Sequence, residues 1–133
     1  MRFSAKERTG LRAMVEFARQ HGQGPIPLSE VARVQDLPLP YLERVVASLR
    51  HAGLLDSVRG AAGGYTLARE PETISVGDIF RAVEGSLTSL ECLDEDGAHC
   101  EREPICAARM VWQKVSDRLH ETLDSTSLAD LLR

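Results

Sequence analysis

Residues 38–69 constrain this 133-residue chain most tightly. Leu42, Val45, Val46 and Leu49 recur at i, i+3, i+4 and i+7, the period of one buried helical face. Tyr41, Glu43, Arg44, Ala47 and Arg50 fall outside that stripe. Pro38 or Pro40 suits a first helical turn, where a missing N–H costs nothing. Gly53 suits the position just past the helix C-terminus. Residues 54–59 and 65–69 then read as two short strands. Gly60-Ala61-Ala62-Gly63-Gly64 between them is too rich in glycine for a helix and fits a hairpin tip.

Two helices precede this unit. Ser4-Ala5-Lys6-Glu7 reads as a capping box, and Leu11, Met14, Val15 and Ala18 repeat the helical period behind it. His21-Gly22-Gln23-Gly24-Pro25 ends that helix. A short helix is expected over 29–35, with Val31 and Val34 inward, closed by Asp36-Leu37-Pro38. Three short helices followed by a glycine-tipped hairpin make a winged helix-turn-helix.

Beyond the hairpin, Ser75-Val76-Gly77-Asp78 offers a second capping box before Ile79, Phe80 and Val83. Residues 85–103 are polar, acidic and irregular. Pro104 opens a helix expected to run to about Leu123, and Ser127-Leu128-Ala129-Asp130 starts a last short turn. On the long helix Ala108, Trp112, Val115, Leu119 and Thr122 form a heptad-like stripe. Such a stripe is either the packed face of an intramolecular helix or the seam of a homodimer. The small N-terminal core favours the dimer, since helix-turn-helix proteins pair to read two half-sites a helical turn apart. The expected fold is therefore mainly α with a small β-hairpin wing. A winged helix-turn-helix DNA-binding domain spans 1–70. A connecting helix, a cysteine-bearing sensor loop and a dimerisation helix span 71–133.

Charge supports an anionic partner for the first half. Residues 1–69 hold 10 Lys and Arg against 6 Asp and Glu, whereas residues 70–133 hold 6 against 14. A helix carrying Tyr41, Glu43, Arg44 and Arg50 fits the major groove, where its side chains meet base edges and phosphates. Arg59 at the base of a glycine loop suits the minor groove. Gly60, Gly63 and Gly64 let backbone approach phosphate closely. No apolar run approaches the roughly 20 residues that span a bilayer, and the N-terminus lacks the apolar stretch of a signal peptide, so a cytoplasmic protein without membrane contact is expected. No Ser/His/Asp or Cys/His nucleophile constellation is evident, which speaks against an enzyme. A winged-helix adaptor for a protein partner is the other non-enzymatic class.

Cys92, Cys100 and Cys106 fall within 15 residues, and the rest of the chain has no cysteine. An odd count without an export signal argues against a disulfide framework and points to metal or redox chemistry. The C-x7-C-x5-C spacing is not the paired C-x2-C of a zinc ribbon. Unligated, reduced cysteines are the plain alternative.

Several runs stand in order: Tyr41-Leu42-Glu43, Ala52-Gly53-Leu54-Leu55-Asp56-Ser57-Val58-Arg59-Gly60, Gly63-Gly64-Tyr65-Thr66-Leu67-Ala68, Ile74-Ser75-Val76 and Ala82-Val83-Glu84-Gly85. Through them essentially the whole chain resembles the IscR/NsrR/CymR family of bacterial winged-helix transcription regulators, the Rrf2 superfamily. The resemblance implies a dimer that binds palindromic operators and answers to iron–sulfur status, nitric oxide, redox state or a metabolic partner. It puts Tyr41 and Glu43 on the recognition helix and Arg59 at the wing. Pro38 and Pro40 stand where small hydroxyl residues often precede this Tyr-Leu-Glu, so an operator sequence does not transfer.

The family's iron–sulfur sensors carry three cysteines in this same region, which implies a two-iron or four-iron cluster on Cys92, Cys100 and Cys106; thiolates are the usual ligands of such iron. Other members work without a cluster, by thiol oxidation or through a protein or metabolite partner. Here Glu91, Asp94, Glu95, Asp96, Glu101 and Glu103 surround the cysteines and disfavour free thiolate, which favours the cluster. The fourth ligand is open. The family's histidine three residues after the last cysteine is replaced by Arg109. In nitric-oxide-sensing relatives an acidic residue of the first helix completes the site; Arg8 stands there, with Glu7 adjacent. His99 is the other candidate.

Overall fold

The computed structural model describes residues 3–84 and 108–133. Helix α1 (Ala5–Arg19) starts on the expected capping box. The Glu7 N–H donates to Ser4 Oγ at 3.1 Å, and the Ser4 N–H donates to Glu7 Oε1 at 2.7 Å. Its buried face lies about one residue step around the helix from the expected stripe. Gly10, Ala13, Met14 and Phe17 occupy the centre, while Leu11 and Val15 sit half-buried at the edge. Gly10 explains the rotation. A side chain there would press on Val83 Cγ1 at 3.2 Å and Ile79 Cγ2 at 3.6 Å, so its absence lets α1 lie close on the fourth helix.

Helix α2 (Leu28–Gln35) buries Val31 and Ala32, with Leu28 and Gln35 completing the stripe. The expectation that Val34 points inward is wrong, for it is 47% exposed. Val34 lies about a third of a turn from the centre of that four-residue stripe. Asp36, at φ 52°, turns the chain into helix α3 (Leu39–His51). All four expected core residues of α3 are buried: Leu42, Val45, Val46 and Leu49. Gly53 follows at φ 82° as expected.

Strands β1 (Leu55–Val58) and β2 (Gly64–Leu67) pair antiparallel, with Leu55 opposite Leu67 and Val58 opposite Gly64. β1 is one residue shorter than expected at each end, whereas β2 starts one residue earlier, at Gly64 of the expected tip, and ends two residues earlier. Helix α4 (Val76–Glu84) begins on the second capping box, in which Asp78 N–H donates to Ser75 Oγ at 2.9 Å and Ser75 N–H to Asp78 Oδ2 at 3.0 Å. Helix α5 (Arg109–Ser125) ends two residues later than expected, and a short 3-10 turn (Ala129–Leu132) closes the described chain. No helix among the described residues is long and apolar enough to cross a membrane.

Helices α1, α3 and α4 pack together, and Leu128 from the C-terminal turn completes the same core. Among the described residues, the face that α5 turns toward its own chain is not the heptad-like stripe. The residues it turns toward its own chain are Ser116, buried, with His120 and Leu123 partly buried. The heptad-like stripe is a different face: Trp112 is 41% exposed, Ala108 and Thr122 are exposed, and Val115 and Leu119 line a shallow apolar hollow.

A buried acid binds α1 to α2. Glu16 is 5% exposed, and its Oε1 accepts from Arg19 Nη1 and Gln35 Nε2, each at 2.6 Å. Gln35 in turn accepts from Arg12. Replacing Glu16 by Ala leaves a Gln35 amide without its acceptor in a half-buried site, so unfolding in urea is expected to show a loss of about 1–3 kcal/mol. Ser4→Ala removes the half-buried cap together with the hydroxyl's bond to Glu84 and is expected to cost about 1–2 kcal/mol.

Candidate nucleic-acid interface

Helix α3 separates its side chains cleanly. With the apolar stripe fixed in the core, Glu43, Arg44, Ala47 and Arg50 are exposed on the outer surface. Tyr41 is half-buried and packs against the core, so it braces the first turn more than it projects. That turn has no side-chain cap; Pro38 is the capping residue and Pro40 lies within the turn. At the other end Arg50 and His51 occupy the last turn, where cations favour the helix dipole.

The helix runs directly into the wing. Leu54 N–H donates to Leu49 carbonyl at 3.0 Å, and Ala68 N–H donates to Leu54 carbonyl at 3.1 Å, which ties the start and end of the hairpin to α3. At the tip, Gly63 N–H donates to Gly60 carbonyl at 3.0 Å. A side chain on Gly63 would strike the Val58 carbonyl, and one on Gly64 would strike Ile26. Gly64 is therefore required by packing, because Ile26 and Tyr65 exchange backbone hydrogen bonds of 3.0 and 2.9 Å directly beside it. The Tyr65 ring sits 6.4 Å from that of Phe17, anchoring β2 to α1. Arg59 is exposed at the base of the tip.

Arginines divide by what they do. Arg8 donates to the Phe3 carbonyl, Arg12 to Gln35, Arg19 to Glu16 and Arg69 to the Thr73 carbonyl. Arg33 pairs with Glu30 at 2.5 Å; their hydrogen bond holds the Glu30 carboxyl below its usual range and raises the Arg33 guanidinium. Arg44, Arg50 and Arg59 carry no such engagement among the described residues. The expected DNA-contacting arginines are thus the three uncommitted ones of this region. The sequence marks them by position, outside the apolar stripe of α3 and at the base of the glycine loop, while their lack of a partner among the described residues is seen only in space.

The candidate metal ligands fare differently. Cys92, His99, Cys100 and Cys106 lie outside the described residues, and no group of three or more metal-binding side chains occurs among the described ones. Glu7 is held as the capping partner of Ser4. Ser4 Oγ also donates to Glu84 Oε1 at 2.5 Å, which puts Glu7 beside the end of α4, where the cysteine-bearing segment departs.

The family model Rrf2, described as an iron-dependent transcriptional regulator, matches residues 3–133. The HTH-type transcriptional regulator CymR of Bacillus subtilis (strain 168) is 44% identical over 131 residues, 98% of this chain and 89% of that protein. The HTH-type transcriptional regulator IscR of Sodalis glossinidius (strain morsitans) is 36% identical over 132 residues, 99% of this chain and 79% of that one. Among solved structures, CymR (YrzC), described as the global cysteine regulator of B. subtilis, matches with a TM-score of 0.84 and 43% identity, covering 98% of this chain and 95% of the other. IscR of T. potens matches with a TM-score of 0.82 and 45% identity, over 99% and 86%. These relatives are transcriptional regulators and not enzymes. With a family match from end to end of the described fold, a winged helix-turn-helix in the right order and relatives above 40% identity, the chain belongs to the Rrf2 family of transcriptional regulators.

Proposed function

We propose that this regulator is a cytoplasmic homodimer that binds palindromic double-stranded DNA with α3 and the wing. Residues 1–70 form the DNA-binding unit and residues 71–133 the sensing and dimerising one. The observation that carries the reading is the set of uncommitted guanidinium groups of Arg44, Arg50 and Arg59 on the outer face of α3 and the wing base. Glu43 on the same face can accept from a cytosine amino group, while Gly60, Gly63 and Gly64 bring wing backbone near phosphate. The exposed stripe of α5, with Trp112, Val115 and Leu119, supplies the seam between subunits.

Sensing runs through Cys92, Cys100 and Cys106, whose three thiols suit iron–sulfur ligation. When bound, a cluster supplies a centre that reacts with oxidants and nitric oxide. The fourth position falls to Glu7 or His99. A ligand role for Glu7 would use the oxygen that does not accept from Ser4. The cysteine-bearing segment joins α4 to α5, so the way its thiols are held acts on the dimer helix and through it on the spacing of the two α3 helices.

A second reading keeps the fold and the DNA but has no cluster, with thiol oxidation or a protein or metabolite partner as the signal. It is favoured by the 44% identity to CymR. Anaerobic purification with visible absorption and a count of iron and sulfide per chain decides between them. Matched iron and sulfide, abolished together by Cys100→Ser, is the expected result. A colourless protein that stays so after reconstitution establishes the second reading.

For the DNA half, Arg59→Ala and Arg44→Ala are each expected to weaken operator binding by about 1–3 kcal/mol where they contact bases, or to lower the salt slope by about one where they contact phosphate. Arg33→Ala, whose partner is Glu30, is expected to leave affinity unchanged in the same titration. An Arg59→Ala protein that binds like the parent would remove the wing from the interface.

A further inference from the structure

Helix α5 is pinned to the rest of the chain at its C-terminal end. Val76 N–H donates to the Thr126 carbonyl at 2.9 Å and Leu128 N–H to the Ile74 carbonyl at 2.8 Å, so residues 126–128 run as an added strand beside 74–76. Leu128 is fully buried. A capping pair holds the following turn, with Ser127 N–H donating to Asp130 Oδ2 at 2.9 Å and Asp130 N–H to Ser127 Oγ at 3.1 Å. The other end of α5 carries exposed Met110, Val111 and Trp112. Among the described residues α5 is tied to its own chain at its C-terminal end, so the contacts beside this pivot bear on the angle at which it leaves.

Beside the pivot lies Asp124. Gly77, buried in the first turn of α4, has no side chain, and a methyl group there would collide with the Asp124 carboxylate, whose Cγ would lie 3.1 Å away. The absence of a side chain therefore lets Asp124 sit on the start of α4, where the helix dipole favours an anion. Arg81, one turn further along α4, donates Nη2 to Asp124 Oδ2 at 2.7 Å and holds Nη1 3.7 Å from Asp78 Oδ1. Farther along, among the described residues, α5 meets its own chain through Ser116 and His120, and Leu123 reaches the apolar core, so polar contacts make up much of what holds its angle there.

We propose that Asp124, seated on Gly77 and paired with Arg81, is a positioning residue that sets the tilt of α5 against the DNA-binding unit and thereby the half-site spacing the dimer accepts. This rests on the dimeric, palindrome-binding reading above. Leverage makes a small contact count. Tilting a 17-residue helix by about 10° moves its far end by roughly 4 Å. One base-pair step is about 3.4 Å. A modest change at the pivot is therefore comparable in length to one step of spacing, which also turns the half-site by roughly a tenth of a helical turn.

The test selects DNA from a random double-stranded library with the full-length chain, then measures affinity for the enriched palindrome and for versions with the spacer one base pair longer or shorter. Wild-type protein is expected to enrich paired half-sites at one spacing. Asp124→Asn keeps the shape but loses the charge. It is expected to recognise the same half-site while its preference between spacings narrows by about fivefold, the scale of an exposed ion pair. Gly77→Ala favours the helix by propensity yet pushes Asp124 away, so it is expected to shift the preferred spacing without a fall in melting temperature. If Gly77→Ala does not fold, Asp124→Asn decides alone. Affinity that falls equally at every spacing, or does not change, overturns the inference and leaves the DNA-binding reading standing. A wild-type protein that enriches no paired half-sites overturns the dimeric reading and this inference together.

Discussion

A two-stranded hairpin has little stability of its own in water, so the wing depends on the two backbone hydrogen bonds that join Ile26 to Tyr65. They turn the linker before α2 into a third edge for the hairpin and fix β2 against α1 through Tyr65 and Phe17. Gly64 exists to permit this approach, since any side chain there would meet the Ile26 backbone. The wing tip and its Arg59 extend from this anchorage, while the bonds from Leu54 to Leu49 and from Ala68 to Leu54 tie the base of the same hairpin to α3. Mobility at the tip therefore need not become mobility at its base.

Charge is distributed with similar economy. The arginines of α1 and α2, and Arg69 after β2, are engaged by Glu16, Gln35, Glu30 and main-chain carbonyls, and Arg12 joins α1 to α2 in this way. Those of α3 and the wing are left to the solvent. An arginine that already holds a carboxylate would have to surrender it to meet phosphate. One without such a partner meets phosphate with its full charge. The basic excess of residues 1–69 is a weak indicator of binding until it is divided in this way.

Much of this was legible in the amino-acid order. The α3 stripe was readable because Leu42, Val45, Val46 and Leu49 are apolar and nothing else on the helix competes for the core. The capping boxes at Ser4 and Ser75 were readable because their partners lie three residues away. The face of α1 was not. Its centre includes Gly10, whose value lies in what is missing, and beside it Glu16 is buried by virtue of Gln35, which belongs to another helix. Val34 misled for the opposite reason: its hydrophobicity suggested burial, but the stripe of α2 is completed by a polar glutamine. The role of Asp124 was equally hidden, since it depends on a glycine 47 residues earlier in the chain. Arg44, Arg50 and Arg59 were readable as candidates from their positions, but that they are uncommitted is seen only from their neighbours in space. The three cysteines, clear as a sequence pattern and proposed as ligands, lie outside the described residues.

The prolines that open α3 have a thermodynamic consequence. Pro38 and Pro40 fix their backbone torsions before any ligand arrives, and they restrict the unfolded chain more than the folded one. A recognition helix begun in this way has little freedom left to surrender on meeting DNA. The same ring at position 40 withdraws one N–H from the helix start, so this end offers phosphate fewer backbone donors than a hydroxyl-capped helix would. In the proposed interface the entropy of association is thus eased at the cost of anchoring at the first turn, which would shift the burden of gripping the duplex toward the middle of α3 and the wing.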